Sequence, residues 1–464
     1  MAIDVLSGVG FSSVDLEQFS ALDPLRSFGT DFESDSQAAS RFFNAGQALI
    51  DRLPARANRS PAEQAAAEAL HAQLRATRVG FLRRHAVAVY DVLTDRRRRF
   101  VRIEALVYLA ASVVPGLVPT LAQIAVDRRR LQKDKEGYEV DQGLFLSYVL
   151  GDALAGGHLV HAMLRPRRES VDLLAEFQAR GRVDIGTTTL ERRGPVGYVL
   201  HGNPRFLNAE DDSTTPTLEI ATDLVLLDPA IDVGVLRGKV VDHPRYAGRH
   251  IFNAGINLTH LYQGQIALVD FFLVRDMGYL HKMYRGLSGP EYWPNEVEAT
   301  DEKPWIAAVE GFAIGGGCQL LLAMDRVLAE RSSYFNLPAR KEGIIPGVAN
   351  MRLWRFVGDR TARQAILFER QFVADSPAGR LICDEVVEDG EMDAALEATV
   401  RALLGSGLVS AAGNRKAIRI GQEPIDLFRQ YMAMYCREEA YCHYSPQLID
   451  NLEKYWNARQ RVSR

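Results

Sequence analysis

Cysteine is scarce in this chain: four residues among 464, Cys318, Cys383, Cys436 and Cys442, with no CxxC pair between them. So few thiols cannot staple a chain of this length, which excludes a disulfide scaffold and leaves a reducing compartment as the expectation. An excess of either charge is missing as well. Lys and Arg number 55 against 59 Asp and Glu, a formal net charge of −4, so no overall basic footprint invites nucleic acid. Long apolar runs are also absent. The most apolar stretch, Ala105 to Val118, falls short of the roughly 20 residues that span a bilayer, and Pro115, Gly116 and Pro119 interrupt or close it. It reads as a buried helix ending at a turn. The opening Met1-Ala-Ile-Asp-Val-Leu lacks the basic and apolar regions of a secretory leader. The expectation is a cytoplasmic protein with neither a membrane nor a nucleic-acid partner.

Several catalytic signatures are missing too. No GxGxxG opens a helix, there is no GxxxxGK[ST], and Gly286-Leu-Ser288-Gly289 has the wrong spacing for a GxSxG elbow. Dinucleotide, P-loop and α/β-hydrolase chemistry all lose ground. His158 with His161, and Cys436, Cys442 and His443, are incomplete ligand sets, so no metal is implied.

What is present is ample core material, 47% hydrophobic residues, enough for two or three domains at roughly 150 residues each. From Ser36 to Arg182 apolar residues recur at three- and four-residue intervals, as in Leu70, Leu74, Phe81, Leu82 and Val89, which predicts helices. Ser60-Pro61-Ala62-Glu63 has the form of a helix start with a capping box. The basic runs Arg96 to Arg99 and Arg128 to Arg130 read as solvated or salt-bridged helix ends, with a phosphate site as the alternative. After Gly194 short apolar runs alternate with Gly, Pro and Asp turns. Strands are predicted at Val196 to Leu200, Val233 to Leu236 and Trp305 to Val309, with helices near Pro216 to Leu227 and Gln265 to Leu287, an α/β pattern. Beyond Gly358 helices return, at Thr361 to Phe368, Met392 to Leu404 and Ile425 to Tyr441.

One motif stands out, Val309-Glu-Gly-Phe-Ala-Ile-Gly315-Gly316-Gly317-Cys318-Gln319, a strand, a turn and a helix opened by three glycines. Glycine lets a reacting oxygen approach the backbone, and the first N–H groups of a helix face it with the positive end of the dipole. That is the physics of an oxyanion hole. Tight packing alone explains such a turn equally well, and a second donor is needed.

Upstream stands Ile251-Phe-Asn-Ala254-Gly255-Ile256-Asn257-Leu258, and downstream Phe335-Asn-Leu-Pro338 and Gly343-Ile-Ile-Pro346-Gly347. In this order the segments resemble the crotonase (enoyl-CoA hydratase/isomerase) superfamily, over roughly 194 to 421. The resemblance implies an α/β ββα-spiral core, expected over 191–360, between a helical N-terminal domain over 1–190 and a C-terminal helical region over 361–464. It also implies that the N–H groups of Ile256 and Gly316, with Gly317 as the nearest alternative, grip an acyl-CoA thioester carbonyl. Ala254, Gly255, Ile256 and Asn257 would border the CoA. Trimers or dimers of trimers are implied as well. The departures carry as much information. The two glutamates that hydratases place in the glycine turn and after the proline are Gln319 and Ala339 in this sequence. An amide and a methyl group cannot activate water, which argues against enoyl-CoA hydration.

The long helical extension, Gly202-Asn-Pro-Arg-Phe-Leu-Asn208-Ala209-Glu210, Arg275 and Gln319 resemble more closely the cofactor-independent 3,5-dihydroxyphenylacetyl-CoA dioxygenases of glycopeptide-antibiotic biosynthesis. The implied reaction is oxidation of that thioester by O2 to 3,5-dihydroxyphenylglyoxylate and CoA, without metal or flavin; the product is a precursor of dihydroxyphenylglycine. By this resemblance Glu210, Arg275 and Gln319 surround the aryl ring, and His243 touches substrate or CoA. Ile314, Leu321, Ile344 and Ile345 are candidates for a dry O2 pocket. Thioester hydrolysis and a non-catalytic CoA-binding scaffold remain the alternatives, and the sequence names no base for the α-proton.

Overall fold

The computed structural model describes residues 6–294, 299–405 and 407–462. The chain forms two compact units, Met1–Leu159 with Met432–Tyr444, and Val160–Tyr431 with Ser445–Arg464.

The first unit is helical. Its longest helix, Pro61–Leu93, starts where the sequence places it: Ser60 Oγ accepts from the Glu63 N–H at 3.3 Å, and the Glu63 carboxylate accepts from the Ser60 N–H at 2.8 Å. Leu70, Leu74, Phe81, Leu82 and Val89 form its buried face. Helix Ile103–Val113 stops before Pro115, and Gly116 takes a φ of +83° in the turn that follows. The basic runs are salt-bridged in part, Arg97 to Asp91 at 3.1 Å, Arg98 to Asp95 at 2.6 Å and Arg130 to Asp127 at 3.2 Å. Among the described residues no single helix is long and apolar enough to cross a membrane; only a bent pair, Glu139–Gly151 with Ala153–Arg180, meets that test jointly.

The second unit carries twelve strands in chain order: β1 Arg182–Ile185, β2 Thr188–Arg193, β3 Val196–His201, β4 Val233–Gly238, β5 Leu287–Ser288, β6 Thr300–Asp301, β7 Trp305–Val309, β8 Phe312–Ile314, β9 Arg326–Glu330, β10 Tyr334–Asn336, β11 Phe372–Val373 and β12 Glu385–Val387. A seven-stranded sheet runs β1-β2-β3-β4-β7-β9-β12, parallel from β3 onward; a smaller sheet runs β11-β10-β8. The chain alternates between the two, β7 then β8, β9 then β10, with a helix between turns. Isolated parallel pairings extend the smaller sheet backwards, Asn253 to Ala313 and Glu210 to Ile256. This is the ββα spiral, and it stacks Glu210, the 253–256 segment, β8 and β10 as neighbours although they are far apart in sequence. Helix Met392–Leu404 covers the large sheet, packing Met392, Leu396 and Val400 on Val196, Val233, Val235, Ile306, Ala308 and Leu328. The change from helix to strand comes at Arg182, earlier than the expected boundary at 190. The hairpin β1-β2 is rich in Thr, Glu and Arg and short of apolar residues, so alternation does not announce it.

Candidate active site

The site is built where three successive turns of the spiral touch. The first turn delivers Glu210. Asn208, fully buried, donates from Nδ2 to the carbonyls of Lys239 and Ile251, each at 2.7 Å, and so ties the 202–210 segment to the next turn. Glu210 then pairs with that turn through its backbone: its N–H donates to Gly255 O, and the Asn257 N–H donates to Glu210 O, both at 2.7 Å. In a parallel pairing the residues flanking the partner make the bonds, which leaves the N–H of Ile256 itself unused. No acceptor engages it among the described residues.

The third turn supplies the glycines. Ile314 N–H donates to Asn253 O at 3.0 Å and Gly315 N–H to Asn336 O at 2.8 Å, so the turn is held on both sides. Gly315, at φ +50°, precedes the helix Gly316–Leu321, whose first N–H groups have no partner within the helix. Gly255 must also be glycine: at φ +82° its missing Cβ would lie 2.9 Å from Ile314 O. That contact brings the Ile256 and Gly316 amides to one place. Gly317, the alternative donor, packs against Asn253; a Cβ there would lie 2.7 Å from Asn253 Cβ.

Beside the turn lies a buried polar cluster. Arg275 Nε donates to Glu210 Oε2 at 2.5 Å, its Nη1 to Gln319 Oε1 at 2.7 Å and its Nη2 to Gly316 O at 2.7 Å. Tyr279 Oη donates to Glu210 at 2.9 Å, and Asn253 Nδ2 to Glu210 at 2.6 Å. The Asn253 side chain also accepts from the Gly255 N–H at 2.6 Å, which joins the carboxylate to the oxyanion turn. Arg275 follows directly on a π-helical turn, Leu268–Leu273, a feature common at functional sites. Burial pushes the Glu210 carboxyl up, but Arg275 outweighs it and holds the group below the ordinary glutamate range. Asp276 is raised by burial, which Arg275 offsets only in part. Burial likewise pushes the Cys318 thiol up to about 12, so it packs as a neutral side chain.

A cavity of about 990 Å³ opens in front of the turn, lined by Ala254, Ile256, Asn257 and His243. Ile314, Pro338 and Glu342 also reach it, and Arg205, Arg245 and Arg461 stand on its walls. No carboxylate pairs with those three arginines among the described residues. His243 Nδ1 accepts from the Arg245 N–H at 3.2 Å, on the side of the cations and away from the ring cluster. The structure thus brings Glu210, Arg275, Gln319 and Gly316 into one hydrogen-bonded group, and Ala254, Ile256, Asn257 and His243 into one cavity wall. Ala339 is buried at the start of the helix Ala339–Glu342. Sequence reasoning passed over Asn253, Tyr279, Glu342 and the three arginines. Asn253 stood inside the quoted segment; the others lie outside every motif. Among the described residues no three His, Cys, Asp or Glu side chains converge in a metal-binding group.

Comparison with known proteins agrees with this architecture. The enoyl-CoA hydratase/isomerase family model matches residues 291–419. The (3,5-dihydroxyphenyl)acetyl-CoA 1,2-dioxygenase of Amycolatopsis orientalis is 47% identical over 421 residues, 91% of this chain and 95% of that protein. A probable enoyl-CoA hydratase of Rhizobium meliloti is 31% identical over 46% of this chain and 73% of its own length. A solved enoyl-CoA hydratase from Bacillus halodurans, 21% identical, superposes with a TM-score of 0.48 over 58% of this chain and 100% of its own. The chain therefore belongs to the enoyl-CoA hydratase/isomerase family, the crotonases.

Proposed function

We propose that this protein is a metal- and cofactor-independent dioxygenase that converts 3,5-dihydroxyphenylacetyl-CoA and O2 to 3,5-dihydroxyphenylglyoxylate and CoA. One observation carries the reading: the oxyanion turn is intact while both hydratase carboxylates are replaced, by Gln319 and Ala339, beside the buried Glu210, Arg275 and Gln319 cluster. The likeness to the dioxygenase of Amycolatopsis orientalis supports it over nearly the whole chain.

The thioester carbonyl accepts from the Ile256 and Gly316 N–H groups, with Gly317 in reserve, and Ala254 to Asn257 flank the CoA. Arg205, Arg245 and Arg461 suit its phosphates. Glu210 accepts from, and Arg275 and Gln319 donate to or accept from, the phenolic oxygens, exchanging bonds they now make with one another. The α-C–H is acidified by both carbonyl and ring, and the oxyanion donors stabilise the enolate. One electron passes from the enolate to O2 and the radical pair joins as a C–O bond. The outer peroxide oxygen attacks the thioester carbonyl and CoA leaves as thiolate. Loss of the remaining α-hydrogen with O–O cleavage gives the keto acid, with both atoms of O2 in the product. The reductant is the substrate itself, so no other electron donor is required.

The decisive measurement is O2 consumption paired with product mass, using protein stripped of metal and flavin. Equal amounts of O2 consumed, thiol released and glyoxylate formed are expected. Thiol and intact arylacetate without O2 uptake would establish thioester hydrolysis instead, and binding without turnover a CoA scaffold.

A further inference from the structure

The reaction proposed above needs a base for the α-proton, and the family's two carboxylate positions hold Gln319 and Ala339. The geometry points to Glu342, one helical turn beyond Ala339, as that base. This inference rests on the oxygenase reading.

Glu342 ends the short helix Ala339–Glu342, and three and four residues apart on a helix means the same face, so it projects on the side where Ala339 stands. Both ends of this helix are fastened to the oxyanion site. Before it, Asn336 accepts from the Gly315 N–H at 2.8 Å and pairs with Ile314 across β8 and β10. After it, Ile344 packs in the apolar cluster that contains Ile256. Glu342 lines the same cavity as Ile256, Ile314 and Pro338. Its carboxylate has no hydrogen-bond or ion-pair partner among the described residues, whereas Glu210 is engaged by Arg275, Tyr279 and Asn253. It is therefore a carboxylate in the cavity with its lone pairs uncommitted.

The surroundings suit a base working near neutrality. Burial, and then the charge of Glu369 at the end of helix Asp359–Phe368, push the carboxyl up to about 7. The nearest cation, Lys341, is drawn to Glu369 at 3.4 Å and lies over the Tyr455 ring, supplied by helix Pro446–Trp456. The other titratable groups of the cavity are placed for other work. His260 spends Nδ1 on Asp211 at 2.9 Å and packs on Phe206, next to Arg205; His243 is bonded to the Arg245 backbone. In the balanced sequence Glu342 takes the first α-proton, returns it to the departing CoA thiolate, and takes the second α-proton as the O–O bond breaks. That second proton goes to solvent.

The test is α-hydrogen exchange of 3,5-dihydroxyphenylacetyl-CoA in D2O without O2, followed by mass spectrometry, alongside O2 uptake and CoA affinity. For the wild-type enzyme exchange rises with pH through about 7, because the base acts only as carboxylate. Glu342→Gln is expected to lower both exchange and O2 uptake about 100-fold while leaving the dissociation constant for CoA within about twofold, and Glu342→Asp to restore part of the exchange. Wild-type exchange in Glu342→Gln would overturn the assignment while the oxygenase reading stands. Should that variant not fold, exchange by the wild-type enzyme that stays flat between about pH 5.5 and 8.5 would overturn it equally. Absence of O2 uptake by the wild-type enzyme would overturn the oxygenase reading and this inference with it.

Discussion

At the scale of single residues the chemistry is concentrated in Arg275, which holds Glu210, Gln319 and the Gly316 carbonyl at once. A planar fork can make those bonds together and an ammonium cannot, so Arg275→Lys is not a conservative change. Arg275→Ala is expected to lower O2 uptake by at least about 100-fold, in the range seen when one donor to a reacting oxygen is lost. It also leaves Glu210 buried without its partner, at a cost of about 3–5 kcal/mol in stability that urea denaturation would register. Turnover unchanged in that variant would remove Arg275 from the ring. A second test concerns Glu136 in the helical unit. Burial raises its carboxyl, but the bonds to His71 and Arg59 win and hold it at about 2. The stabilisation is complete above the ordinary value of 4.5 and is lost as pH falls toward 2. The difference in urea midpoint between the wild-type chain and Glu136→Gln should shrink steadily across that interval. The residues legible in sequence were those in motifs, Ile256, Gly316, Gln319. Tyr279 and Glu342 were not, because their importance lies in what the spiral sets beside them and no local spacing records it.

At the scale of elements, periodicity and caps were legible where one rule governs the segment. The capping box at Ser60 and the apolar strand Trp305–Val309 stand where the residues indicate. The segment 265–287 reads as one helix by composition, yet it forms a π-helical turn, then Val274–Met277 and Tyr279–Arg285 broken at Gly278. Its apolar residues are buried on all sides, so no polar face marks where the phase changes. The oxyanion turn is the element under closest steric control. Gly317→Ala would push a methyl group to 2.7 Å from Asn253 Cβ and 2.9 Å from its carbonyl oxygen. Overpacking of that kind should cost about 1–3 kcal/mol, measured as a lowered melting temperature, and should reduce turnover more than CoA binding.

At the scale of the whole molecule the fold class was legible, since alternating strands and helices followed by helices describe the second unit. The boundaries were less so. The expected divisions at 190 and 360 follow changes of texture, while the compact units divide at Leu159 and return residues 432–444 to the first, a long-range pairing that composition does not encode. The surface of the second unit carries Trp354, Phe356, Leu367, Phe368, Val373 and Leu381, each at least 39% exposed, on consecutive elements of the chain. Apolar exposure of this kind marks interaction surfaces. Trimers or dimers of trimers are the expected assembly, and light scattering after gel filtration should give a multiple of the 51.6 kDa chain. Phe368→Glu should shift the population toward monomer, and a monomeric wild-type chain would end that expectation.

The π-helical turn has an evolutionary consequence. Such a turn holds one residue more than an α-helical one, so it is the natural place for an insertion or deletion to slip the phase of everything that follows. Removing one residue from 268–273 would rotate Arg275 by about 100° around the helix axis and carry its guanidinium away from Glu210 while leaving the helix able to form. Specificity in this lineage can thus change by a single codon's gain or loss, with no substitution at any residue that meets the substrate.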